Sequence, residues 1–204
     1  PFPLTQGYDF SFDVAGERAI AEQWLADQLG IANDGNLGVM SAALAGNGGW
    51  VRGRELWALG LTAEAKVEFN ELRPAYIGDA LALYQMALAL RDLGAYAQAI
   101  RAARASVDAL GLADSFSAPA FFTHLRFGPY YADLITKAAS DYNIDPLLLY
   151  AVVRQESLFE GGVTSSAAAQ GLMQIIPSTG EWIADRLNWP DYQNSDLYRP
   201  YISL

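Results

Sequence analysis

The chain has 204 residues, enough for one or two domains, and its 52% apolar and 18% charged side chains exclude intrinsic disorder because there is ample surface to bury. It has no cysteine and one histidine, which excludes disulfide frameworks, thiolate metal sites, cysteine nucleophiles and a His-based zinc site. A formal charge of -10, with no basic cluster beyond Arg101 and Arg104, excludes nucleic acid as a partner, and no apolar stretch approaches the roughly 18 residues of a membrane span.

The sequence opens PFPLTQG, without an initiator Met or a basic-then-apolar signal, and ends YISL without a stop in turn chemistry; it reads as a piece of a longer protein. The pattern that follows is helical almost throughout. Residues 15–29 place Ala19, Ile20, Leu25 and Leu29 on overlapping helical faces, with Gly30 as a stop. Residues 36–46 and 51–60 read as two helices split by Gly46-Asn47-Gly48-Gly49. Helices over 62–72, with Thr62 as N-cap, 79–93 and 96–110 follow, and strand signals are absent. Leu59-Gly60-Leu61-Thr62-Ala63-Glu64-Ala65 lies over Leu93-Gly94-Ala95-Tyr96-Ala97-Gln98-Ala99 at an offset of 34, and Leu56 falls on Leu90. That is the period of tetratricopeptide-like helix hairpins.

Residues 111–128 lose the period and read as a connector whose aromatic residues dock one part of the chain on the other; His124 within it reads as a surface or packing residue. A helix over 130–140 and a turn at 141–144 come next. Asp145 and Pro146 then form a strong helix start, one capping free N–H groups and the other needing none. The helix PLLLYAVVRQES is apolar on nearly all sides up to Val153 and is expected to be central and buried.

Glu156, at the end of that helix, is the candidate for chemistry. Burial and the negative end of the helix dipole both disfavour a carboxylate, which suits a general acid working near neutral pH. The structural alternative is a capping or ion-pair glutamate. After it come the loop Glu160-Gly161-Gly162-Val163-Thr164 and the run SSAAAQGLMQIIPSTGEW over 165–182. In that run Gly171 permits close backbone approach and Gln174 is one amide within an apolar stretch; Ser178 and Glu181 are spaced as a capping box.

Together, RQES at 154–157, a serine nine positions after the glutamate (Ser165), QGLMQIIPST at 170–179, the IDPLLLYAVV that precedes them and the lead-in FGPYYADLI at 127–135 resemble the catalytic domain of soluble lytic transglycosylases. The resemblance covers residues 120–204. It implies an all-α chain, with a tetratricopeptide-like helical superhelix segment over 1–115 and an incomplete lysozyme-like helical domain over 116–204. This sequence departs from the family pattern at Ala168, where the family has an inner Gly, at Ile176, at Gly180, and at Ser203, where an Asn is usual. The family continues with a helix and an Asn-Ala-Gly block bearing a substrate-binding Tyr, so the chain alone is expected to be weakly active or inactive.

The resemblance further implies cleavage of the MurNAc–GlcNAc bond of peptidoglycan with formation of a 1,6-anhydro product. Glu156 would act as acid and then as base; Ser165 and Gln174 would bind the sugar or order the site; Met173 and Ile176 would form an apolar wall, core packing being the alternative for that pair. Glu160, Glu181 and Asp185 read as surface or capping residues. No metal and no organic cofactor is implied. The partners expected are glycan strands and, through the helical repeats, proteins, and the site of action is extracytoplasmic, in the periplasm or cell wall. A hydrolytic muramidase on the same fold and a non-catalytic binding scaffold are the competing readings.

Overall fold

A computed structural model of the chain describes residues 13–204; the opening PFPLTQG lies outside them. The described residues are all-α, joined by irregular loops and two isolated β-bridges. They divide into two compact units, one ending at Gly128 and the other spanning residues 129–204.

The first unit opens with α1 (Val14–Leu29), started by Asp13, whose carboxylate accepts from Gly16 N at 2.9 Å. Its buried stripe is Ala21, Glu22, Leu25 and Ala26, so Ile20, expected on the inner face, is 65% exposed. Glu22 is stabilised inside by Arg18 Nε at 2.7 Å and Tyr84 OH at 3.1 Å. The helix expected over 36–46 shrinks to α2 (Ala42–Ala45). The cause is a distant side chain: Gln85 accepts from Ser41 N at 3.0 Å and donates to Leu37 O at 2.9 Å, holding 37–41 out of a helix.

Helices α3 (Gly48–Ala58) and α4 (Thr62–Leu72) pair as one hairpin, α5 (Ala80–Asp92) and α6 (Tyr96–Ala109) as another. The turns are the same hydrogen-bonded object. Gly60 and Gly94 sit at φ 79° and 81°; Leu61 N donates to Leu56 O and Ala95 N to Leu90 O, each at 2.9 Å. This is the Schellman arrangement, in which glycine takes the left-handed position without a Cβ clash. Thr62 is the first helical residue rather than the N-cap, because Leu61 closes that turn.

The stretch read as an aperiodic connector contains α7 (Ala120–Phe127). Phe121, Phe122 and Leu125 are buried in the core of the first unit, Phe122 lying 5.6 Å from Trp24 and 5.3 Å from Tyr84 between ring centroids. The units therefore divide after Gly128, not between residues 115 and 116. His124 pairs with Glu17 at 2.6 Å and ties α7 to α1.

The second unit consists of α8 (Ala132–Tyr142), α9 (Pro146–Ser157), α10 (Pro177–Leu187), a 3₁₀ turn (Asn194–Tyr198) and α11 (Pro200–Ser203). Helix α10 starts at Pro177 with Ile176 as N-cap, so Ser178 lies inside the helix and the expected Ser178–Glu181 capping box does not form. Proline drives the preceding residue to extended backbone and is itself a good first helical residue. The capping box of this unit is Gln193 with Asp196, around the 3₁₀ turn.

Candidate active site

Helix α9 begins as its sequence dictates: Asp145 accepts from Leu147 N at 2.8 Å and Pro146 occupies the first turn. It buries a single stripe, Leu149, Tyr150, Val153 and Ser157. Leu147 is 47% and Leu148 59% exposed, so the expected all-round burial does not hold. The buried stripe packs on Phe159, whose ring centroid lies 6.3 Å from that of Tyr150 and 5.3 Å from that of Tyr130. Burial, with a smaller contribution from Asp133, pushes the Tyr150 phenol up to about 12. Burial also lowers the Arg154 guanidinium, against the pull of Tyr130.

Glu156 sits on the last turn of α9, seven residues after Leu149 and hence on nearly the same side, but it is exposed. The expected protein-supplied desolvation is absent, because Glu156 lies on the uncovered side of that turn while Val153 and Ser157 face inward. Directly after it the backbone reverses through Leu158 at φ 50° and Phe159 at φ 62°, two consecutive left-handed residues with side chains. Such backbone costs free energy and persists only where surrounding structure enforces it; here Phe159 is 2% exposed and fixed by packing.

Ser165, Met173, Gln174 and Ile176 come together in one loop over residues 163–176. The loop folds on itself through bridges Thr164–Gln170 and Gln170–Ile175, and Gly171 N donates to Val163 O at 3.2 Å. Ser165 Oγ accepts from Ala167 N at 3.2 Å and Ala169 N at 3.1 Å, which makes it an internal brace of the loop. Gln174, itself left-handed at φ 49°, donates through Nε2 to Gly171 O at 2.9 Å and Val163 O at 3.3 Å. These are the partners that an amide within an apolar run requires. Met173 is half-buried and Ile176 is 43% exposed, while their neighbour Leu172 is fully buried. Ala168 sits at φ 59°, the backbone reason that a glycine suits this position better.

The loop is backed by the segment Leu197–Ser203, which the sequence reading left without a role. Thr164 Oγ1 and Tyr198 OH are 2.6 Å apart, and Ser203 Oγ accepts from Met173 N at 3.2 Å. Partners some thirty residues apart in an aperiodic stretch leave no local signal. Among the described residues no group of three or more His, Asp or Glu side chains is gathered as a metal ion would require, and no helix is long and apolar enough to cross a membrane.

Residues 133–204 match the transglycosylase SLT domain. The matched stretch takes in nearly all of the second unit. The soluble lytic murein transglycosylase of Salmonella typhimurium is 37% identical over 80 residues, which are 39% of this chain and 12% of that protein. The chain thus spans a small part of such relatives. Among solved structures, the 70 kDa soluble lytic transglycosylase of Escherichia coli superposes with a TM-score of 0.65 at 23% identity, over 92% of this chain and 31% of its own. An inactive variant of the lytic transglycosylase Slt of Pseudomonas aeruginosa, with one glutamate changed to glutamine, superposes with a TM-score of 0.64 at 20% identity, over 93% of this chain and 31% of its own. At these identities the structures speak for the fold. The SLT domain contains Glu156 and the whole 163–176 loop.

Proposed function

We propose that the SLT domain is the catalytic part of a peptidoglycan lytic transglycosylase and that Glu156 is its single acid and base. The observation that carries this reading is the family match over 133–204, which takes in Glu156, Ser165, Met173, Gln174 and Ile176 together. The inactive glutamate-to-glutamine variant of the Pseudomonas aeruginosa protein supports a mechanism in which one carboxyl is indispensable.

The chemistry then runs on one proton. Glu156 gives its proton to the glycosidic oxygen between MurNAc and GlcNAc, the C1–O bond breaks, and the GlcNAc end departs with that proton. The acetamido oxygen of the muramyl ring meets the positive charge left at C1. The carboxylate next takes the proton of the C6 hydroxyl as that oxygen closes on C1, giving the 1,6-anhydro ring and restoring the acid. One group serves both steps, so the second carboxylate of an ordinary glycosidase has no task. A glycan lying across the exposed last turn of α9 would itself exclude water from Glu156. Nε2 of Gln174 is engaged within the loop, which leaves its amide oxygen to accept from a sugar hydroxyl, while Met173 and Ile176 line the apolar side. This substrate implies an extracytoplasmic site of action, and the hairpins of the first unit are the surface offered to protein partners.

Digestion of purified sacculi by the complete enzyme, followed by mass spectrometry of the released muropeptides, tests the reading. Anhydro ends are expected. Reducing ends would make the protein a hydrolase, and sacculi that retain the protein without being cut would make it a binding scaffold.

A further inference from the structure

The geometry points to Ser203 as a positioning residue that sets the Gly171–Gln174 turn of the SLT domain from behind, through the backbone of Met173. The side chain of Ser203 is 1% exposed, and its hydroxyl accepts from Met173 N at 3.2 Å. The amide it holds is the one directly before Gln174, whose own φ of 49° is unfavourable for a residue with a side chain. Gln174 secures the same turn from its inner side through Nε2 on Gly171 O and Val163 O. The turn is therefore gripped on both sides, by an amide from within the loop and by a hydroxyl from thirty residues further on.

Close packing makes the grip specific. A Cβ on Gly171 would collide with the Leu197 carbonyl oxygen and lie 2.5 Å from Ser203 Oγ, so the turn and the segment behind it meet with only a hydrogen between them. The same segment is fastened at its start by Thr164 Oγ1 on Tyr198 OH at 2.6 Å, and Pro200 Cγ lies 3.3 Å from where a Cβ on Gly161 would stand. Among the described residues, Ser203 supplies the one side-chain acceptor from this segment to the turn backbone. A buried N–H that loses its acceptor shifts the local opening equilibrium about tenfold.

That Ser203 matters to substrate rests on the reading of Gln174 as a glycan contact; that it sets the turn does not. Ser203→Ala in the 204-residue chain, followed by residue-resolved amide exchange and NMR, separates the two. The expected result is exchange about tenfold faster at Met173, a shifted Gln174 side-chain amide signal, and unchanged exchange at Leu149 and Val153 of α9. Thr164→Val, at the other end of the segment, is expected to leave Met173 exchange within about twofold. Unaltered exchange at Met173 in Ser203→Ala would overturn the proposal. So would equal loosening of α9, which would make the hydroxyl a general stability element, or an equal effect of Thr164→Val. Titration of the unsubstituted chain with chitotetraose reports on the glycan reading alone: a Gln174 side-chain signal that does not move contradicts that reading while the exchange data still decide the role of Ser203.

Discussion

The two units treat left-handed backbone in opposite ways. Among the described residues of the first unit, every residue with positive φ is a glycine: 30, 35, 60, 78, 94 and 111. In the second unit Gly171 is joined by Tyr131, Asn143, Leu158, Phe159, Ala168, Gln174, Asn188 and Asp191. The first unit therefore follows local chemistry, with glycine at each described left-handed position. Around the candidate site the second holds such backbone by tertiary packing: of its left-handed residues, Leu158 and Phe159 follow Glu156, and Ala168, Gly171 and Gln174 lie in the 163–176 loop. Strain held in this way is characteristic of sites whose geometry is fixed in advance.

Matched substitutions sharpen the contrast. Gly171 and Gly94 have nearly equal φ, 78° and 81°, but a Cβ on Gly94 meets nothing within 4 Å, whereas on Gly171 it strikes Leu197 and Ser203. Gly171→Ala is expected to destabilise the second unit by roughly 2–4 kcal/mol, backbone strain plus overpacking, and Gly94→Ala the first by about 1 kcal/mol, strain alone. Denaturant titration with amide exchange reads each unit; equal losses would erase the distinction. Ala168→Gly should act in the other direction, relieving a left-handed alanine and raising the stability of the second unit by about 1 kcal/mol in the same titration. A loss on that substitution would show that the alanine methyl packs usefully.

The smallest effect expected is in alkali. The Tyr150 phenol is raised from 10.0 to about 12, so its folded form is the neutral one. Its contribution to stability is complete below pH 10 and is lost as pH rises towards 12. Tyr150→Phe should flatten the alkaline decline of the second unit by about 1 kcal/mol or less and leave untouched that of the first, where burial and Glu22 raise Tyr84. Parallel pH–stability curves for the variant and the parent would rule this out.

The same contrast accounts for what the sequence made legible. Hairpins α3–α4 and α5–α6 could be read because leucine spacing and glycine stops are local signals. Helix α7 was missed, since eight residues give only about two turns of apolar spacing (Phe121, Phe122, Leu125) and their burial is fixed by Trp24 and Tyr84, far away in the chain. Residues 36–41 deceived for the same reason, their loop being set by Gln85. At the candidate site, motif residues identified the loop and Asp145–Pro146 the start of α9. Composition overstated the burial of α9 because apolar side chains such as Leu147 and Leu148 need not be covered. Ser203 stood out in the sequence only as a departure, and its bond to Met173 emerges from the fold.

A single carboxyl group carries the proposed chemistry. The measurement that tests it most directly is release of anhydro-muropeptides from sacculi by Glu156→Gln and by the parent, both made in the complete enzyme and at equal concentration, with circular dichroism to show that both are folded. The amide cannot give or take the proton, so release is expected to fall by at least about a hundredfold with the melting profile unchanged. Retention of more than about a tenth of the parent rate in a folded variant would contradict the assignment of Glu156 as the acid and base.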